Sequence, residues 1–231
     1  MLKEAKNFIL NLFYPKYCFL CKREGSYLCQ DCKSTLEISA CHQKYSTENL
    51  NDLYFTIDYQ NPLVKNLIEH FKYEPFIKEL ADALSSLIIT HFQLLDNKPN
   101  FFNPVQLPSE LYGAGFILIP VPLEKRKLKW RGFNQAEEIG KELAKFFKTP
   151  LMNGILMKIK TTLPQVELFG EERKENIKGA FLVGKDENLI KGKKILLVDD
   201  VYTTGATMEE CARVLKIAGA KEIIGIVIAR G

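Results

Sequence analysis

Two adjacent acidic residues, followed by a loop rich in threonine and glycine, form the segment best suited to chemistry. The segment reads ILLVDDVYTTGAT and spans residues 195–207. A short apolar strand delivers Asp199 and Asp200 to its carboxyl end, where open parallel sheets bind ligands. The loop offers backbone N–H groups, hydroxyl groups and the positive end of a helix to a phosphate. Its residues are Thr203, Thr204, Gly205, Ala206 and Thr207.

The two carboxylates must have a different task from the loop, because negative charges cannot hold the same phosphate. They suit the hydroxyl groups of a ribose, or a Mg²⁺ ion that carries pyrophosphate. The alternative is a plain strand, an acidic turn and a threonine that caps the next helix. Each feature is common alone, but their contiguity favours a phosphate-binding site.

Four of the six cysteines form two C-x2-C pairs near the amino terminus. Together they can supply four thiolates to a tetrahedral zinc ion, which would provide the folding energy that such a short segment lacks. Redox-active pairs, an iron–sulfur cluster and plain buried cysteines are the alternatives. Redox chemistry needs a single pair, and the spacing between the pairs is less typical of iron–sulfur clusters. The predicted zinc ligands are Cys18, Cys21, Cys29 and Cys32.

The two remaining cysteines carry weaker signals. Cys41 is followed by His42, and the two are candidates for a lost second metal site, although a structural role is the simpler interpretation. Cys211 shares the apolar face of a predicted helix with Met208 and Leu215, which predicts a small core residue.

Basic residues are concentrated between residues 120 and 160, with ten Lys or Arg against four Asp or Glu. The only tryptophan of the chain, Trp130, stands there between Lys129 and Arg131. A flat ring among cations is typical of single-stranded nucleic acid binding, in which bases stack while cations follow the phosphates. The alternative is a solvated basic loop whose tryptophan is anchored in the core. We predict single-stranded DNA as a partner.

Length and composition limit the class of protein. The 231 residues suffice for one α/β core with a small appendage, and a hydrophobic fraction of 46% excludes a disordered or fibrous chain. The net charge of +4 neither demands nor excludes a polyanionic partner. The longest apolar run, residues 223–229, is too short to span a membrane, and no secretory signal is evident. We expect a cytoplasmic protein without membrane insertion, with its thiols reduced.

The elements that must position these residues alternate between strand and helix in the second half of the chain. Continuous apolar runs there favour a parallel sheet covered on both faces. Residues 97–108 read as a loop or boundary. The predicted strands are 53–60, 116–121, 155–160, 180–184, 194–201 and 222–229, and the predicted helices are 2–13, 62–72, 76–95, 135–148 and 206–218.

The strand, the paired acids and the T-T-G-x-T loop resemble the phosphoribosyl pyrophosphate (PRPP) motif of type I phosphoribosyltransferases. The doubled C-x2-C and the blocks YQNPLVKNLIEHFKY, IPVPLEKRKLKWRGFNQAEEIGKELA and TTLPQVELFGEERKENIKGAF extend the similarity over nearly the whole chain. Together they resemble the ComF family, competence-associated proteins with a phosphoribosyltransferase-like domain and a zinc-binding amino terminus.

This resemblance implies an α/β type I phosphoribosyltransferase fold, PRPP with Mg²⁺ as ligand, and a role in handling imported DNA during natural transformation. Asp199 and Asp200 match the catalytic acids that meet ribose and Mg²⁺, and residues 203–207 match the 5′-phosphate loop. A competence helicase-type protein is the partner that the family suggests.

The same resemblance implies further sites and boundaries. In phosphoribosyltransferases the loop after the first core strand binds pyrophosphate, and a second loop, here residues 161–176, closes over PRPP. We expect a zinc-binding subdomain over 1–45 and a phosphoribosyltransferase-like domain over 46–231, with a hood over 46–108 and a core over 109–231. The candidates for contact with pyrophosphate or nucleic acid are Lys125, Arg126, Lys127, Lys129, Trp130, Arg131 and Arg173.

Three functions remain compatible with these residues. The first is a PRPP-binding protein of DNA uptake with transferase activity on an unknown acceptor. The second is a non-catalytic adaptor that binds single-stranded DNA and retains a PRPP-like pocket. A nucleotide-salvage phosphoribosyltransferase is less favoured, because no base-reading element is evident and the three histidines, His42, His70 and His91, lie outside the motif region.

Overall fold

A computed structural model describes residues 15–96, 115–160, 175–184 and 187–231. The predicted helix at 2–13, the loop at 97–108 and Arg173 lie outside these ranges. In chain order the elements are α1 (Gln30–Ser34), β1 (Asp52–Asp58), α2 (Pro62–Lys72), α3 (Leu80–Asp96), β2 (Phe116–Pro120), α4 (Lys125–Arg131), α5 (Gln135–Phe147), β3 (Leu156–Lys158), β4 (Phe181–Val183), a short 3-10 helix (Glu187–Leu189), β5 (Lys194–Val198), β6 (Val201–Tyr202), α6 (Ala206–Ile217) and β7 (Glu222–Arg230).

A parallel sheet lies at the centre of the molecule. Its strands follow the order β1-β7-β5-β2, and β6 continues the line of β5 along β7. Side chains of β5 alternate between two separate cores: Ile195 and Leu197 face one, and Leu196 and Val198 face the other. Burial on both faces explains why this strand reads as a continuous apolar run, and it confirms the predicted parallel sheet.

Helices cover both faces of the sheet. One core contains buried residues of α2, α3 and α5, among them Leu67, Leu84 and Leu143. The other contains the inward face of α6 together with β3 and β4. Cys211 is fully buried on that face of α6, as predicted. None of the described helices is both long enough and apolar enough to cross a membrane.

Asparagine residues begin two of the covering helices where the sequence predicts. The Asn61 side chain accepts hydrogen bonds from the backbone N–H groups of Leu63 and Val64, and Pro62 occupies the first turn. The Asn134 side chain accepts from the N–H of Ala136 at the start of α5. These bonds satisfy N–H groups that lack partners within the helix.

Two segments differ from the prediction. Residues 125–131, expected within a loop, form the helix α4, which Gly132 ends in the left-handed region at φ 82°. None of its residues belongs to the hydrophobic core, so the sequence shows no hydrophobic period that would predict it. The strands predicted at 155–160 and 180–184 shorten to β3 and β4. They pair with each other in antiparallel fashion, outside the parallel sheet.

Candidate functional site

A cavity of about 420 Å³ opens at the carboxyl edge of the sheet. The parallel strands β2 and β5 both end at this edge, where open parallel sheets bind ligands. The cavity is also lined by the loop into α6, the last turn of α2, α4 and β3. Its volume lies within the range of small-molecule sites, about 300–1,000 Å³. Both predicted acids and the whole predicted loop line it, namely Asp199, Asp200, Thr203, Thr204, Gly205, Ala206 and Thr207.

The paired acids are held in two different ways. Asp200 is buried, and its Oδ1 lies 2.7 Å from Nζ of Lys72, the last residue of α2. Its backbone carbonyl accepts from the N–H of Ile228 at 3.0 Å, which fixes it to β7. Asp199 Oδ1 accepts from the N–H of Asp200 at 2.8 Å. Lys72, which lies in the first half of the chain, therefore neutralises Asp200.

The electrostatics of the pair follow from burial. Burial, and then repulsion from Asp200, raise the pKa of Asp199 to about 7. Burial lowers the pKa of Lys72, but the ion pair with Asp200 outweighs it and raises that pKa overall. The cavity thus holds one firmly paired carboxylate and one carboxyl that titrates near neutrality.

The loop into α6 depends on Gly205. This residue caps α6 at φ 76°, a conformation that L-residues with a side chain rarely adopt. A Cβ atom at Gly205 would lie 2.2 Å from the Tyr202 hydroxyl. A side chain at position 205 would therefore clash with the protein itself, even without a bound ligand.

Besides Lys72, cations on two further elements line the cavity with the acids. Lys127 and Arg131 reach the cavity from α4, and Lys158 reaches it from β3. Burial, followed by repulsion from Lys127, lowers the pKa of Lys158. Of the seven residues proposed for pyrophosphate or nucleic acid, the cavity lining includes Lys127, Trp130 and Arg131. Lys125, Arg126 and Lys129 are exposed outside the lining.

Arg131 is fixed in place by a chain of hydrogen bonds. Its Nη1 donates to Gln135 Oε1 at 2.5 Å, and Gln135 Nε2 donates to the carbonyl of Phe71 at 2.9 Å. Its Nε is buried and has no hydrogen-bond partner within the described ranges. Burial lowers the pKa of Arg131. A buried donor without a partner is costly, by about 1–3 kcal/mol, and a bound anion would satisfy it.

Trp130 stands at the rim of the cavity and not in the core. It is 62% exposed, and its ring packs edge-on against Phe76 with the centroids 4.7 Å apart. The alternative of a tryptophan anchored in the core is therefore wrong. The Arg131 guanidinium, from the next residue of α4, lies 5.9 Å from the centroid of the same Phe76 ring.

Three residues of the site were not identified from the sequence. Lys72 and Lys158 lie outside the motif, and a lone lysine at the end of a helix or in a short strand carries no signal of its own. Tyr202 lies within the motif, but its part in shaping the loop depends on where its hydroxyl lies against Gly205.

The four amino-terminal cysteines meet at one point. Their sulfur atoms all lie within 4.8 Å of one another, and Cys21 and Cys29 approach to 3.5 Å. Four ligands at about 2.3 Å from a tetrahedral zinc would be about 3.8 Å apart. Burial raises the pKa of Cys18, but backbone N–H groups directed at its sulfur outweigh burial and lower the pKa to about 6. The cluster can hold a metal ion.

Cys41 and His42 do not join this cluster. Cys41 is exposed, and Nε2 of His42 lies 2.9 Å from a carboxylate oxygen of Asp52. Within the described ranges, no second group of histidine, cysteine or acidic residues has the geometry of a metal site.

Comparison with known proteins agrees with this geometry. Residues 132–231 match the family model described as phosphoribosyl transferase domain. DNA utilization protein YhgH of Shigella flexneri is 30% identical over 89% of this chain and 85% of its own length. Competence protein F of Haemophilus influenzae is 36% identical over 46% of each chain. Competence protein ComFC of Bacillus subtilis is 32% identical over 43% of this chain and 38% of its own, so the last two matches span less than half of those relatives.

Proposed function

The chain belongs to the ComF family, with a phosphoribosyltransferase fold, and we propose that it binds PRPP with Mg²⁺ in the service of DNA utilisation. The observation that carries the proposal is the cavity in which the acidic pair, the loop before α6 and the cations of α4 and β3 converge. A phosphorylated ribose needs these three kinds of group at once. The names of the relatives, competence and DNA utilization proteins, support the biological setting.

Each part of the cavity suits one part of the ligand. The N–H groups and hydroxyls of residues 203–207 would receive the 5′-phosphate at the amino end of α6. Asp199 and Asp200 would meet the ribose hydroxyls and hold Mg²⁺, whose preferred ligands are carboxylate oxygens. The ion would neutralise the pyrophosphate. Lys127 and Arg131 would face the same group and supply the remaining positive charge.

A calorimetric titration with PRPP and Mg²⁺ tests this proposal. We expect saturable binding to the wild type, and Asp199→Asn, which keeps the size of the side chain, should weaken it roughly tenfold or more, which corresponds to about 1.4 kcal/mol or more. Asp82→Asn, an exposed change in α3 outside the cavity, is the matched control and should bind as the wild type. If millimolar PRPP gives neither heat nor a higher melting temperature with the wild type, the pocket is vestigial.

A separate measurement tests whether the protein transfers the phosphoribosyl group to an acceptor. Release of pyrophosphate in a screen of acceptors would establish a phosphoribosyltransferase, and a purine or pyrimidine acceptor would point to nucleotide salvage. Binding without release would favour the adaptor, in which the pocket senses PRPP or receives a phosphate of DNA.

We also propose that the four cysteines hold a structural zinc ion. Cys18, Cys21, Cys29 and Cys32 provide the tetrahedral thiolate set that zinc prefers, and their segment has few buried residues of its own. The ion would hold the two C-x2-C turns together.

Single-stranded DNA is the second proposed ligand, and the exposure of Trp130 favours it. Its ring is open to solvent at the rim of the cavity, on a helix whose sequence is KRKLKWR. An exposed ring among cations can stack an unpaired base.

A further inference from the structure

A second cavity, of about 330 Å³, lies beside the edge strand β1 and has no part in the proposed PRPP site. It is lined by Ser39, by residues 41–45, by Phe55 of β1 and by Arg230 at the end of β7. Among the residues that the structure describes, the charged ones that line it are Lys44 and Arg230, and none of the lining residues is a carboxylate. The cavity is therefore suited to an anion.

Two aromatic rings contact the Arg230 guanidinium in this cavity. Its guanidinium carbon lies 4.1 Å from the centroid of the Tyr45 ring and 5.4 Å from that of Phe55. Within the described ranges, its side chain forms no hydrogen bond and no ion pair. Stacking on a ring orients the plane of a guanidinium and leaves its N–H groups available. A guanidinium in this arrangement can donate two parallel hydrogen bonds to a phosphate.

The wall of the cavity is fixed by a buried carboxylate. Asp52 accepts from the backbone N–H of Tyr45 at 3.0 Å and contacts Nε2 of His42 at 2.9 Å. The His42 ring stacks on Tyr54 with the centroids 3.7 Å apart. Asp52 is thus engaged with the wall segment itself, and little reordering is needed before a ligand enters.

We propose that this cavity binds a phosphate group through Arg230 and Lys44. The phosphate could belong to a mononucleotide or to the backbone of single-stranded DNA, because both present the same oxygens to a guanidinium. The Tyr45 ring meets the ring of Tyr202 edge-on, with the centroids 5.9 Å apart, and Tyr202 shapes the loop at Gly205. The two cavities therefore share a wall, but the second requires no ligand in the first.

Backbone amide NMR shifts locate the phosphate directly. We titrate the wild-type protein with deoxythymidine 5′-monophosphate and, separately, with a deoxythymidine oligonucleotide that lacks terminal phosphates. Saturable shifts of the Lys44, Tyr45 and Arg230 amides are expected with at least one probe. Shifts with the mononucleotide alone assign a small phosphorylated ligand, and shifts with the oligonucleotide assign the DNA backbone. Amides of residues 203–207 report the first cavity independently.

Substitutions test the assignment. Arg230→Met keeps the aliphatic contact with the rings but removes the charge, and it should weaken binding at this cavity at least tenfold. Lys65→Met removes an exposed charge on α2 outside both cavities and should have no effect. Lys44→Met leaves the stacked guanidinium in place and should weaken binding, so it decides the question if Arg230→Met fails to fold. Absence of shifts in the wild type, or equal binding by the Arg230→Met and Lys65→Met proteins, overturns the proposal.

Discussion

The position of Tyr202 leaves no room for a side chain at Gly205 in the first cavity. An alanine at position 205 would have to adopt φ near 76° and would place its Cβ 2.4 Å from Cζ of Tyr202, as well as against the hydroxyl. The left-handed backbone costs about 1–2 kcal/mol, and overpacking adds about 1–3 kcal/mol. These two costs can be separated.

A double-mutant cycle separates them. Gly205→Ala in the wild type should lower the free energy of unfolding by the sum of both costs, whereas in a Tyr202→Ala background only the backbone cost should remain. Denaturant unfolding of the four proteins gives the coupling between the two positions. Equal losses in both backgrounds would show that the ring moves aside freely.

Asp199 gives the ligand-free protein a distinct dependence on pH. Burial and the neighbouring Asp200 raise its pKa from 3.8 to about 7 in the native state. Between these values the native state binds more protons than the unfolded chain, so this carboxyl contributes stability that is lost as the pH rises through the window. Asp199→Asn removes the titration. Its free energy of unfolding relative to the wild type should increase between about pH 4 and about pH 8.

Urea unfolding of both proteins, in the absence of divalent cations, measures that difference. Asp82→Asn controls for the loss of one exposed carboxylate and should show no such trend. A difference between Asp199→Asn and the wild type that stays constant with pH would contradict the raised pKa.

At the scale of elements, the sequence predicts most of what lies in the parallel sheet and in its amphipathic helices. The apolar runs of β2, β5 and β7 and the first residues of α2 and α5 follow from local signals, and the structure confirms them. The helix α4 could not be predicted from a hydrophobic period, because none of its residues belongs to the core. The same distinction applies to the site. The acids and the loop are contiguous in the sequence and are predicted from it, whereas Lys72 reaches Asp200 only because α2 packs on the sheet.

The segment that contains the four clustered cysteines packs onto the helices that cover one face of the sheet. The ring of Phe19, within the first C-x2-C pair, lies 4.7 Å from that of His70 on α2, in an edge-to-face arrangement. Nζ of Lys33 donates to the carbonyl of Ser86 on α3 at 3.1 Å. Loss of a bound metal should therefore also weaken the contacts of this segment with α2 and α3 and lower the stability of the whole protein.

Zinc removal tests this coupling. Elemental analysis should find a single zinc per chain, and Cys29→Ser should lose it, because metal binding and folding of the segment are linked. The variant should also melt at a lower temperature and become sensitive to protease near residues 16–35. Cys41→Ser, which changes an exposed thiol outside the cluster, should retain zinc and melt as the wild type. Full zinc retention in a Cys18→Ser/Cys29→Ser double variant would exclude this site.

For the binding of an anionic polymer, the distribution of charge over the molecule matters more than the net charge. The net charge is only +4, yet Lys72, Lys127, Arg131 and Lys158 line one cavity with two acids, and Lys44 and Arg230 line another. An anionic polymer would meet local positive potential at each cavity mouth, although the average surface is nearly neutral. Trp130 lines the first of these cavities, and its ring is largely exposed to solvent.

Salt dependence separates the two contributions to binding of single-stranded DNA. Cationic contacts release counterions, so affinity should fall steeply with salt, and Lys127→Ala/Lys129→Ala should flatten the slope of log K against log salt by about one to two units. Trp130→Ala should cost about 1–3 kcal/mol and leave the slope nearly unchanged, because stacking releases no counterions. Since this ring is 62% exposed, the variant should keep its melting temperature. Single strands should bind better than duplex, whose bases are already stacked. Unchanged affinity in a folded Trp130→Ala protein would remove the ring from the DNA site.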